Sequence, residues 1–166
     1  MEVGMKKGLI IISIIGITLI TFGIKPHVKP HENVIVKKGF VQNIEKVAIK
    51  NDDFRRVLYT STQSQLVLMA LKPNEEIGME SHKSDQFFRV EKGSGEVIIN
   101  GVKTSIQAGF AVVVPGGAKH NIINTGKDSM KLYTIYSPPN HRDGVVHHTR
   151  KEALADNEHF DGKTTE

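Results

Sequence analysis

The chain has 166 residues, enough for one domain with a core and too few for two ordinary ones. Hydrophobic residues make up 39% and charged ones 24%, a globular balance, and the lack of cysteine excludes disulfides, thiolate metal sites and a cysteine nucleophile. The net charge of +4 belongs to the first 38 residues, with six lysines against two glutamates, while the rest holds sixteen charges of each sign, so no basic groove for nucleic acid is expected.

The first predicted element is Gly8 to Ile24, an uncharged run of 17 residues, eight of them isoleucine. As a helix it would be about 25 Å long, at the short edge for crossing a bilayer. Lys6 and Lys7 precede it, the pattern of a signal peptide or signal anchor. No Ala-x-Ala cleavage site follows, and Thr21-Phe22-Gly23 is the nearest approach to one. Lysines flank the run on both sides, which leaves orientation open. Residues 1–24 are therefore expected to form an N-terminal hydrophobic helix, either a membrane anchor or a cleaved export signal. Residues 25–38, containing Lys25-Pro26-His27-Val28-Lys29-Pro30-His31, read as an extended linker.

From Phe40 onward short apolar runs alternate with turn residues. Strands are predicted at 47–49, 55–59, 65–71, 87–91, 96–100, 103–106, 111–114, 119–123 and 131–136. Gly93-Ser94-Gly95 and Asn100-Gly101 mark hairpin turns, the latter suited to the positive φ of a type I′ turn. Many short strands with such turns predict an all-β closed barrel or two-sheet sandwich over 39–148. In the last segment, 149–166, Thr149-Arg150-Lys151-Glu152 has the capping-box pattern, which predicts a short helix from Arg150 to about Asn157.

Two stretches carry candidate chemistry. The clearer is Gly109-x5-Pro115-x-Gly117-x2-His120-x3-Asn124, in which a strand ends at a Pro-Gly-Gly turn and His120 starts the next strand. The other is Asn74-x5-Glu80-Ser81-His82-x3-Gln86-x6-Gly93. On an extended chain Glu80 and His82 share a face. The polar stretch Glu80 to Asp85 also suits a plain loop.

These two stretches resemble the paired motifs of the cupin superfamily. The second motif is matched at every fixed position. The first is altered: Asn74 stands for the leading glycine, Glu80 for the first histidine, His82 for the second and Gln86 for the glutamate. The resemblance covers about residues 64 to 136. The tail Tyr136-Ser137-Pro138-Pro139-Asn140-His141 is similar to that of small bacterial cupins called mannose-6-phosphate-isomerase-like. It implies a single jelly-roll barrel, and a metal held by Glu80, His82, Gln86 and His120. Such donors suit one divalent transition metal, Fe, Mn, Ni, Cu or Zn.

On this reading the protein is a metal-binding cupin. It would be an isomerase-like or oxygen-inserting enzyme acting on a small polar, sugar-like molecule, with Glu80 also available as a base. The alternative is a non-catalytic cupin that binds or senses a small molecule. Phe88, Tyr133, His141 and His147 are candidate substrate contacts; the two histidines could cap the barrel mouth or lie on a surface loop, and Tyr133 could line or fill the pocket. The expected partners are a small-molecule ligand and a membrane, and open sheet edges allow a homodimer.

Overall fold

The computed structural model describes residues 37–166. The hydrophobic helix expected over 1–24, and all of the linker 25–38 but its last two positions, lie outside the described residues. Among the described residues, no helix is long and apolar enough to cross a membrane.

The elements in chain order are α1 (Ile44–Lys50), β1 (Arg55–Thr60), β2 (Gln65–Leu71), β3 (Asp85–Lys92), β4 (Ser94–Ile99), β5 (Val102–Gln107), β6 (Ala111–Val114), β7 (His120–Asn124), β8 (Met130–Ser137), β9 (Val146–His147) and α2 (Arg150–Ala155). Two antiparallel sheets form, ordered β6-β3-β8-β2-β1-β9 and β5-β4-β7. Phe88, Val90, Met69 and Leu132 of the large sheet share one core with Val97, Ile106 and Ile122 of the small one. Burying each such side chain contributes about 1.5–3 kcal/mol relative to exposure. The two sheets thus pack face to face as the all-β expectation required.

Two local features differ from the strand reading. Residues 47–49 were expected as a strand and belong instead to helix α1. The β-branched Val47 and Ile49 favour a strand, but Ile44, Val47 and Ala48 are spaced for one helical face. Asn43 then decides the matter as N-cap, its side chain accepting from the Lys46 N–H at 2.9 Å. Strand β9 was also not anticipated; it is only two residues long and is held in place by β1. The predicted C-terminal helix is present but ends at Ala155. The Thr149 hydroxyl accepts from the Glu152 N–H at 3.2 Å, while the Glu152 carboxylate accepts from the His148 N–H at 2.7 Å.

The turn chemistry follows the sequence. Asn100 and Gly101 have φ of 48° and 85°, as a type I′ turn needs. Asn74, which replaces the leading glycine of the first motif, has φ of 63°. Asparagine tolerates this left-handed region better than most residues, so the departure leaves the backbone intact.

Registration across the large sheet sets the site. Val114, Gln86, Tyr136 and Gln65 stand opposite one another on β6, β3, β8 and β2. All four are buried, and three are polar. The next inward row is Val112, Phe88, Thr134 and Val67. A polar layer therefore caps a mostly apolar one at one end of the interior.

Candidate metal centre

Residues 76–80 run antiparallel beside β7, joined by isolated bridges at Glu76–Ile123 and Glu80–His120. The Glu80 and His120 backbones exchange hydrogen bonds, each N–H donating to the other's carbonyl at 2.9 Å. This pairing puts the two side chains side by side. After Glu80 the chain leaves the ladder, and His82 sits in an irregular segment rather than on a strand. That segment is pinned to the Pro115–Gly117 turn. The Gly117 N–H donates to the His82 carbonyl at 2.8 Å, and the Gly116 N–H to the Asp85 carboxylate at 2.8 Å. A Cβ on Gly116 would lie 2.4 Å from the Lys83 carbonyl oxygen, so only glycine permits this approach. Gly117 has φ of 84°, a second reason for glycine in that turn.

The donor atoms converge. Glu80 Oε1 lies 3.4 Å from His120 Nε2 and 3.7 Å from His82 Nε2. Gln86 Oε1 lies 2.9 Å from His120 Nε2. One ligand atom each from Glu80, His82 and His120 fall within 4.8 Å of one another. Three of the four predicted ligands thus form a compact cluster, and the fourth touches it. The His82 and His120 rings meet edge-on at 5.0 Å, with Phe88 packed 6.1 Å behind His120.

The ring orientations matter for chemistry. His120 Nδ1 lies 3.0 Å from the Ala118 carbonyl and His82 Nδ1 3.4 Å from the Ser84 carbonyl. A proton on each Nδ1, directed at its carbonyl, leaves both Nε2 atoms with free lone pairs. Glu80 Oε1 and His82 Nε2 are buried without a hydrogen-bond partner. With those tautomers, lone pairs face lone pairs, an arrangement a cation resolves. The donor set also fits: imidazole nitrogens with carboxylate and amide oxygens suit a borderline divalent ion.

The electrostatics agree. Burial pushes the Glu80 carboxyl up, but the His120 and His82 rings outweigh it and hold the group at about 2. Burial pushes His120 down, yet Glu80 and the Ala118 carbonyl reverse this and leave it raised. The cluster therefore attracts positive charge. Glu80 is the most open member, with 28% of its side chain exposed against 1% for His120.

The four candidate substrate contacts divide. Phe88 is fully buried and packs behind His120. Tyr133 alternates to the outer face of β8, where it stacks on Phe87 at 6.2 Å, so the line-or-fill expectation is corrected. The inward residue of that strand is Tyr136, which packs against His82 at 5.3 Å and His141 at 5.0 Å. Strand alternation with Leu132 and Thr134 would have found it. His141 and His147 are both buried rather than surface histidines. His141 reaches the interior through Tyr136, whereas His147 Nε2 is engaged by Asp156 at 3.1 Å.

Arg55 and Glu158 escaped the sequence reading. Glu158 accepts from His141 Nδ1 and from the Arg142 N–H, both at 2.7 Å. No local motif announces a carboxylate 17 residues downstream of its histidine.

The profile of the Cupin domain family matches residues 67–136. The chain is 43% identical over 125 residues to the uncharacterized protein YrkC of Bacillus subtilis (strain 168), covering 71% of this chain and 67% of that one. It is 42% identical over 112 residues to L612 of Acanthamoeba polyphaga mimivirus, covering 64% and 70%. The crystal structure of BH2720 from Bacillus halodurans superposes with a TM-score of 0.71 at 40% identity, over 72% of this chain and 96% of that one.

Proposed function

This chain belongs to the cupin superfamily, and from that premise we propose that it holds one divalent transition metal through Glu80, His82, Gln86 and His120 and acts on a small polar molecule in the barrel. The observation that carries the reading is the convergence of Glu80, His82 and His120 donor atoms with buried, unpartnered lone pairs. A metal bound there would act as a Lewis acid toward neighbouring oxygens of a sugar-like molecule, or as a centre for dioxygen chemistry.

The chain's own residues have separable tasks. His120 and His82 present Nε2 because backbone carbonyls fix their other nitrogens. Glu80 supplies the negative charge. A carboxyl held at about 2 is a poor proton acceptor near neutrality, so Glu80 serves as ligand rather than base. Gln86 contributes a neutral oxygen and keeps the site's charge low. Tyr136 lines the interior with a hydroxyl that burial pushes far up, so it stays protonated and can donate to an oxygen of the ligand.

The proposal includes the run Gly8–Ile24 as the segment that brings the barrel to a membrane or exports it, and a second copy as an available partner at the open sheet edges. The test of function uses the full chain, stripped with chelator and reloaded with each of Fe, Mn, Ni, Cu and Zn. Oxygen uptake and C–H exchange in D2O are followed with small polyols and sugar acids. The reading predicts turnover with one metal and none without it. Ligand binding with no turnover for any metal would favour the non-catalytic binding cupin instead.

A further inference from the structure

Arg55 is an odd residue for its position. It stands on the inward face of β1, opposite Met69 of β2, which is fully buried. Its side chain is 12% exposed, and its Nε is buried with no acceptor. Its nearest charge partner among the described residues is Glu158 Oε1 at 3.8 Å from NH1, beyond hydrogen-bond distance. The guanidinium is steadied over the Phe54 ring at 6.0 Å. A buried guanidinium N–H is costly unless something accepts from it.

His141 completes the pattern. Its side chain is 7% exposed, and its Nδ1 pairs with the same Glu158 oxygen that Arg55 approaches. Its Nε2 is buried with no partner. The loop backbone is clamped by the buried Gln65, which donates to the His141 carbonyl at 2.7 Å and accepts from its N–H at 2.9 Å. Glu158 orients the ring, and its free nitrogen is an acceptor when Nδ1–H points at Glu158. Burial pushes His141 down and Arg55 adds to this, against the opposing pull of Glu158 and Glu80, which is the direction that keeps Nε2 unprotonated. Tyr136 packs edge-on against His141 at 5.0 Å and against His82 at 5.3 Å, which places this pair beside the Glu80 cluster.

We propose that Arg55 and His141 form an organic-acid subsite: the Arg55 guanidinium receives the carboxylate of a small hydroxy acid, and His141 Nε2 accepts from its hydroxyl. The planar fork of arginine matches a carboxylate. An acceptor without a donor calls for a hydroxyl on the same ligand. The charge also fits. With a divalent ion at the Glu80 cluster, the interior carries Arg55 and the metal against the Glu80 and Glu158 carboxylates, a surplus of one positive charge that a monoanion neutralises. This inference deepens the proposed function and rests on it for that charge balance.

The test titrates the full chain, with metal and after chelation, with glycolate, acetate, glycolamide and inorganic phosphate by calorimetry. Glycolate is expected to bind more tightly than acetate, which lacks the hydroxyl, and than glycolamide, which lacks the charge. Arg55→Gln is expected to weaken glycolate about tenfold or more and to leave glycolamide unchanged. His141→Ala is expected to bring glycolate down to the affinity of acetate. If Arg55→Gln does not fold, Arg55→Lys carries the test; it keeps the charge but loses the fork, and should still weaken glycolate. Metal content is counted in the same samples. A wild type that takes up no metal on loading would sink the functional reading. Retained metal with no preference for glycolate, unchanged affinity in a folded Arg55 variant, or tighter binding of phosphate would overturn the subsite alone.

Discussion

Gln86 is the residue on which the character of the centre turns. Its Oε1 faces His120 Nε2 at 2.9 Å, at a position where the superfamily motif carries a glutamate. An amide oxygen is a weaker donor than a carboxylate, so the site should bind its metal less tightly than a two-carboxylate version would. Gln86→Glu is therefore expected to raise metal affinity by about tenfold, and Gln86→Ala to lower it by a similar factor, read by competition with a chelating dye. Equal affinity in all three proteins would remove Gln86 from the ligand set. The motif intervals singled out Gln86, Glu80, His82 and His120, and the fold brings these four side chains together. Tyr133 was misplaced because its strand was read without fixing which face is inward; Tyr136, two alternations of the same face beyond Leu132, is the residue that meets His82.

The elements that place the ligands are less regular than their strands suggest. Glu80 is fixed by pairing with β7, but His82 depends on contact between two loops, the segment 81–85 and the Pro115–Gly117 turn. Gly116 makes that contact possible, since its absent Cβ would stand 2.4 Å from the Lys83 carbonyl oxygen. Gly116→Ala is expected to destabilise the fold by about 2 kcal/mol in urea unfolding and to weaken metal binding by displacing His82. Unchanged stability would mean that the two loops do not pack in this way. Strands β2 and β6 match their predicted bounds, since each is a short apolar run that ends at a turn sequence, Lys72-Pro73-Asn74 and Pro115-Gly116-Gly117. Helix α1 was not, because Val47 and Ile49 have strand propensity and the Asn43 cap signal lies outside the three residues that were read. Strand β9 carries too few residues for any periodicity, and it exists through its pairing with β1.

At the scale of the whole molecule, two sheets enclose a core whose one end is polar. That end gathers Glu80, His82, Gln86 and His120 from three separate stretches of chain, and Tyr136 links them to a buried His141–Glu158 pair from the C-terminal region. Motifs announced the first group, since fixed intervals tie each member to a turn or strand. The second group has no interval to recognise, because a loop and a terminal segment bring it together in space. The first group is proposed to hold a metal. Elemental analysis of the purified full chain, beside Glu80→Ala and His120→Ala, tests this most directly. About one transition metal per wild-type chain is expected, and below about a tenth of that in either variant with the circular dichroism spectrum unchanged. A wild type that stays metal-free after loading, or variants that keep a full complement, would contradict it.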